Sequence, residues 1–152
     1  MLGSSLLRDA ATNTEIELIS WDRSTVDLRD TTRVRKLLGS AKPDLIIHTA
    51  AKVGGIHANI AHPVEYLAEN LQMDTNILLG ALDSSVSNFV YVGSSCMYPR
   101  DYRQPLTEAD LLAAPLEPTN EGYALAKISG SRLASYISRE HGLNYKTIVP
   151  SN

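Results

Sequence analysis

Tyr123 and Lys127 stand four residues apart in Glu117-Pro118-Thr119-Asn120-Glu121-Gly122-Tyr123-Ala124-Leu125-Ala126-Lys127, and Gly93-Ser94-Ser95-Cys96-Met97-Tyr98-Pro99 lies about thirty residues upstream. Together they supply a hydroxyl, a thiol, a phenol and an ammonium. On a helix, residues at i and i+4 share one face, so the phenol and the ammonium can point into one cleft. A strand ending at Ser94 would deliver the hydroxyl and the thiol there too, because open α/β sheets bind ligands beyond the carboxyl ends of their strands. Such a set donates and removes protons at a carbonyl. Tyr-x-x-x-Lys alone is common on amphipathic helices, as a half-buried ring beside a solvated amine. The strand, the Ser-Ser turn and the pair, in that order within a βαβ pattern, give it chemical meaning.

Each group has a distinct expected task. A phenol titrates near ~10, and a neighbouring ammonium favours its phenolate, so Lys127 is expected to make Tyr123 a better proton shuttle near neutral pH. Ser94 is placed to hydrogen-bond the substrate oxygen that Tyr123 protonates. Cys96, two residues beyond Ser94, points to the same side of an extended segment. A thiol titrating near ~8.5 can take or give a proton at carbon, which a simple ketoreductase does not need.

The elements that must position these groups follow from the pattern. Residues 3 to 10 read as the tail of a helix, and Glu15-Ile16-Glu17-Leu18-Ile19-Ser20 alternates with strand period, as the second strand of a sheet. Asp30 is the expected cap of a helix over Thr31 to Leu38, with Gly39 as its stop. Pro43 to Ala51 is a short apolar run, the pattern of a strand covered on both faces and lying at the sheet's centre. Lys52-Val53-Gly54-Gly55-Ile56-His57 follows as a loop, then a long helix from about Pro63 to Leu82 with Tyr66, Leu67, Leu71, Ile77, Leu78 and Leu82 inward. Asn88 to Gly93 is the next buried strand. Prolines at 99, 105, 115 and 118 make Tyr98 to Thr119 mostly loop, with one short turn capped at Thr107-Glu108. A second long helix spans about Glu121 to His141, closed by Gly142, and Tyr145 to Asn152 is a last strand running into a loop. The alternation predicts an α/β fold: a Rossmann-like, doubly wound parallel sheet with helices on both faces.

The 152 residues, 43% hydrophobic and 20% charged, suit one globular domain, and a net charge of −3 offers no basic stripe for nucleic acid. No apolar run approaches the ~18 residues of a membrane span, so no membrane association and a cytoplasmic location are expected. One cysteine excludes an internal disulfide, and neither it nor His48, His57, His62 and His141 has metal-ligand spacing, so no metal site is expected. His48 reads as a strand-end core residue and the other histidines as loop or surface groups. The opening Met1-Leu2-Gly3-Ser4-Ser5-Leu6-Leu7-Arg8 reads as a helix already under way and the last strand runs into a loop that stops. Residues 1–152 are therefore read as part of an NAD(P)-binding Rossmann domain truncated at both ends, its first strand and carboxyl-terminal substrate domain lying outside the chain.

Gly3 fits the third glycine of a G-x-x-G-x-x-G turn, and Asp22, nineteen residues later at the end of the expected second strand, fits the ribose contact. Arg23 is adjacent. An acid there favours a free ribose hydroxyl and an arginine a 2′-phosphate, so these residues alone leave NAD and NADP both open. Asp27 and Leu28 are candidates to meet the adenine.

Ala50-Ala51-Lys52-Val53-Gly54-Gly55-Ile56, Gly93-Ser94-Ser95-Cys96-Met97-Tyr98-Pro99 and Leu116 to Lys127 together resemble the extended short-chain dehydrogenase/reductase family, in its NAD-dependent epimerase/dehydratase branch. Tyr-x-x-x-Lys is generic to the superfamily, whereas Ser-Ser-Cys-x-Tyr-Pro and Lys-Val-Gly-Gly-Ile are far more particular. The resemblance implies a homodimeric parent enzyme with two reactions in one pocket. They are epimerisation at two carbons beside the 4-keto group of a GDP-bound hexose, then hydride transfer from NADPH to that ketone. It implies reductase roles for Ser94, Tyr123 and Lys127 and an acid/base role in epimerisation for Cys96. Tyr123 and Lys127 also meet the cofactor, together with Ala50 and Ala51. Lys52, Val53, Gly54 and Gly55 border cofactor and sugar, with Ser94 and Ser95 on the substrate side. Arg23 falls where the family handles the 2′-phosphate, which selects NADP.

Overall fold

The structure is a computed structural model and describes residues 2–150. Helix α1 (Leu2–Ala10) is followed by an irregular stretch, then α2 (Thr31–Ala41), β1 (Leu45–His48), α3 (Ile56–Ala61), α4 (Pro63–Asp83), β2 (Asn88–Val92), α5 (Glu121–His141) and β3 (Asn144–Ile148). One-turn 3-10 segments at Ser95–Met97, Glu108–Asp110 and Pro118–Asn120 punctuate the long connection between β2 and α5.

The strands pair in parallel in the order β1-β2-β3, with Leu45 opposite Asn88 and His48 opposite Tyr91, then Asn88 opposite Asn144 and Val92 opposite Ile148. This register brings all three carboxyl ends to one edge, where the loops after β1 and β2 meet. Strand-to-helix-to-strand connections are right-handed, and two in the same direction put α4 and α5 on the same face. Ile46, Phe89, Tyr91 and Tyr145 face these helices, packing with Val34, Leu38, Ile77, Leu78, Ala81, Ala134 and Ile137 into the main core. Each such aliphatic or aromatic side chain contributes about 1.5–3 kcal/mol when fully buried. A smaller cluster of Met97, Leu116, Ala124 and Ile128, with Cys96 and Val149 against it, fastens the turn after β2 to the start of α5.

Several expectations need correction. Residues 15–20 form no strand, and Ile16, Leu18 and Ile19 are exposed. Among the described residues no strand lies beside this segment, so its alternating pattern has no ladder to join. For the same reason β1 is an edge rather than the centre, with Leu45 48% and Ile47 44% exposed, and β2 takes the middle place. The face of these strands opposite α4 and α5 is open at Leu45, Ile47 and Ile148. Asp30 caps α2 by accepting from the Arg33 backbone, but the helix runs past Gly39 and stops with Lys42 in the left-handed region (φ 44°). Gly142, at φ 67°, closes α5 as expected. The stretch read as a loop through His57 ends early, because α3 begins at Ile56.

Candidate active site

The turn after β2 and the first turns of α5 converge as the spacing predicts. The Cys96 thiol donates to Ser94 Oγ at 3.2 Å, and the Ser94 backbone N–H meets the sulfur of buried Met97 at 3.3 Å, which pins the turn. Tyr123, half-buried on α5, lies within electrostatic reach of Ser94 and Cys96. Burial pushes the Cys96 thiol above its ordinary value, while the hydrogen bond to Ser94 and the Lys127 charge oppose it. The thiol is thus held as an acid until a ligand or a base changes its surroundings.

Tyr123 departs from the expected direction. Burial, followed by Cys96 and Asp74, raises its phenol above the ordinary value, and only Ser94 works the other way. Lys127, 2% exposed, is directed at Asp74, its Nζ 3.8 Å from Oδ2. That carboxylate offsets part of its positive charge, and burial sets the direction of the phenol's shift. Burial lowers the Lys127 ammonium, and Asp74 and Cys96 oppose the shift.

The expected cofactor residues fall into a second region. Asp22, Arg23, Asp27, Leu28, Ala50 and Ala51 all line one cavity of about 380 Å³ beside the free edge of β1. Gly3 sits against its rim, since a Cβ there would approach the Thr49 hydroxyl, another wall residue, to 2.9 Å. Asp22 accepts from the backbone and hydroxyls of Ser24 and Thr25, all on Oδ1, at 2.6 to 3.1 Å. Oδ2 is left without an internal donor among the described residues, which suits a ribose hydroxyl. Arg23 is exposed beside it. Asp27 is engaged by Arg29, which also bridges to Glu69 at 3.0 Å, so a second guanidinium that the sequence reading passed over lines the same cavity. Arg29 is thus already paired, so Arg23 is the cation offered to a 2′-phosphate and Asp22 Oδ2 the acceptor offered to a ribose hydroxyl.

Val53, Gly54 and Gly55 form an exposed loop between the two regions, and Ser95 is exposed on the turn. Gly54 has no substitute there, because a Cβ would fall 2.0 Å from the Tyr66 hydroxyl. Lys52 is not free: its Nζ donates to Glu65 and Glu69, the latter at 2.7 Å, and both raise its pKa. Its backbone N–H donates to Asn70 Oδ1 and its carbonyl accepts from Asn70 Nδ2, at 2.8 and 3.0 Å. Buried Asn70 thereby fixes the start of the loop. Neither Asn70 nor Asp74 entered the sequence reading, which counted only apolar residues on the inner face of this helix. Polar side chains at inward positions were the available signal.

Comparison with known proteins gives concordant results. The family model described as NAD dependent epimerase/dehydratase matches residues 1–152. A GDP-L-colitose synthase of Yersinia pseudotuberculosis is 44% identical over the whole chain, which covers 49% of that protein. A GDP-L-fucose synthase of Sinorhizobium fredii is 41% identical, again over the whole chain, covering 48% of it. Among solved structures, a Campylobacter jejuni GDP-mannoheptose C4 reductase with NADP bound superposes with a TM-score of 0.91 at 28% identity, over 97% of this chain and 46% of that one. The chain spans about half the length of the curated relatives it matches.

Proposed function

The chain belongs to the NAD dependent epimerase/dehydratase family, and from that premise we propose that the whole protein converts GDP-4-keto-6-deoxy-D-mannose to GDP-L-fucose. Epimerisation comes first and NADPH-dependent reduction second. The observation that carries this reading is the thiol of Cys96 hydrogen-bonded to Ser94 beside Tyr123, an arrangement able to move protons at carbon as well as at a carbonyl oxygen. NADPH, when bound along Asp22, Arg23 and the β1 edge, supplies the hydride. Ser94 holds the ketone oxygen and Tyr123 gives it a proton, the phenol being kept protonated by burial until the ketone is in place. The Lys127 ammonium stabilises the phenolate left behind. Cys96 takes one of the two acid/base roles in epimerisation, in which a proton leaves a carbon beside the ketone on one face and another is returned on the other. The names of the relatives support a GDP-bound sugar, and the NADP in the C4 reductase structure supports that cofactor.

The test is incubation of the whole protein with GDP-4-keto-6-deoxy-D-mannose and NADPH, following absorbance at 340 nm and the product by chromatography. Stoichiometric NADPH loss with GDP-L-fucose as product is expected; turnover without epimerised product would contradict the reading. A second reading, a sugar-nucleotide epimerase or dehydratase that holds NAD tightly, is favoured by the unengaged Oδ2 of Asp22. It predicts NAD retained through purification and no net oxidation of added NADPH. A third holds that residues 1–152 are a non-catalytic dinucleotide-binding or regulatory module, which an NADPH-binding titration of this chain tests.

A further inference from the structure

Lys127 and Asp74 are 2% and 1% exposed, so an ammonium and a carboxylate are enclosed together at the centre of the molecule, where each is costly unless paired and hydrogen-bonded. Four elements meet there. Asp74 projects from α4 and Lys127 from α5. His48 ends β1 and its Nε2 donates to the Asp74 carboxylate at Oδ1, 2.8 Å away. Tyr91, on β2, donates its hydroxyl to Asp74 Oδ2 at 2.5 Å and presents its ring to the Lys127 Nζ, 4.2 Å from the centroid. Burial and the Asp74 charge raise the Tyr91 phenol far above its ordinary range, so it remains a donor. Cys96 and Tyr123 are the further titratable groups that act on this cluster from the reaction side.

This is a built arrangement. Tyr91 reaches Asp74 only because α5 carries Gly130 opposite it, where a Cβ would fall 2.4 Å from the phenolic oxygen. His48 also lines the cavity beside β1, so the cluster joins the expected cofactor region to the proton-transfer groups.

We propose that Asp74, oriented by His48 and Tyr91, is a positioning residue of the reaction: it fixes the ammonium of Lys127, one helical turn along α5 from Tyr123, and keeps it charged. The proposal rests on the reading of Tyr123 and Lys127 as the reductase pair. Tyr91 has a double part, sharing the Asp74 charge through its hydroxyl and supporting the ammonium through its ring. Its hydroxyl therefore moderates the attraction between Asp74 and Lys127.

The test compares Asp74→Asn and Tyr91→Phe in the whole protein. Activity that needs the ammonium falls as pH rises through the Lys127 pKa. Asp74→Asn removes the opposing charge, so this alkaline limb should move to lower pH by about one unit, with kcat down on the order of tenfold and KM little changed. Tyr91→Phe keeps the ring but removes the competing donor, so the limb should stay or move to higher pH. General destabilisation does not move the two variants in opposite directions. The Lys127 titration is read independently of turnover by NMR of lysine labelled at Cε, assigned with Lys127→Arg. If the wild type fails to reduce the GDP-sugar yet the Lys127 titration falls in Asp74→Asn, the functional reading fails and the positioning stands. An unmoved Lys127 titration in Asp74→Asn overturns the proposal. Should that variant not fold, a lowered Lys127 titration in Tyr91→Phe overturns it equally.

Discussion

Gly130→Ala puts one methyl group where α5 passes over Tyr91. The new Cβ would lie 2.4 Å from the Tyr91 hydroxyl oxygen, 2.5 Å from Cζ and 2.9 Å from Cε2, all well inside van der Waals contact. On an exposed helix the same change would add about 1 kcal/mol of stability through propensity. Here the ring cannot swing aside, because Tyr91 is fully buried and its hydroxyl is bonded to Asp74. Overpacking costs about 1–3 kcal/mol, and weakening a buried hydrogen bond to a charged group costs about 1.5–3 kcal/mol. Against the propensity gain, the net is a destabilisation of about 3 kcal/mol. For a chain of this size that lowers the melting temperature by about 9 °C. Thermal denaturation by circular dichroism measures it directly. An unchanged or raised melting temperature would show that α5 and Tyr91 separate freely, and the account of the buried cluster would then be wrong.

Other expectations follow from the same geometry. Cys96→Ser in the whole protein should slow epimerisation by about 10²-fold or more while leaving ketone reduction within a fewfold, read as loss of solvent deuterium incorporation at carbon with hydride transfer retained. Arg23→Ala should weaken NADPH binding about tenfold and leave NADH binding nearly unchanged, measured by nicotinamide fluorescence; equal weakening of both would remove Arg23 from the 2′-phosphate site. Arg29 holds the Asp27 carboxyl at about 2, below its ordinary 3.8, so the pair's contribution is complete above the ordinary value and is lost as pH falls through about 2. Both side chains are largely exposed, so the effect is small and salt-screened, and Asp27→Asn should flatten the melting-temperature curve between those two values.

Hydrophobic period, caps and proline spacing were enough to place α4, β2, α5 and β3 within a residue or two, because each is a long or strongly apolar segment whose pattern has one low-energy solution. They failed at residues 15–20, where alternation specifies a face but not a partner, and at β1, whose apolar run does not say which neighbours cover it. The chemistry divides in the same way. Ser94, Cys96, Tyr123 and Lys127 were legible because their types and spacing within a strand-turn-helix order already imply a shared cleft. Asp22, Arg23, Asp27, Leu28, Ala50 and Ala51 were likewise named from the chain, and the fold gathers them along one cavity.

What the chain did not disclose is the company of Lys127. Spacing within a helix pairs it with Tyr123, but four separate elements enclose its ammonium with Asp74, Tyr91 and His48. Those residues are distant in sequence and look like ordinary members of a helix face and two strands. Local order along the backbone determined which groups could react. Only tertiary packing, by excluding water around opposite charges, decided which of them the lysine answers to.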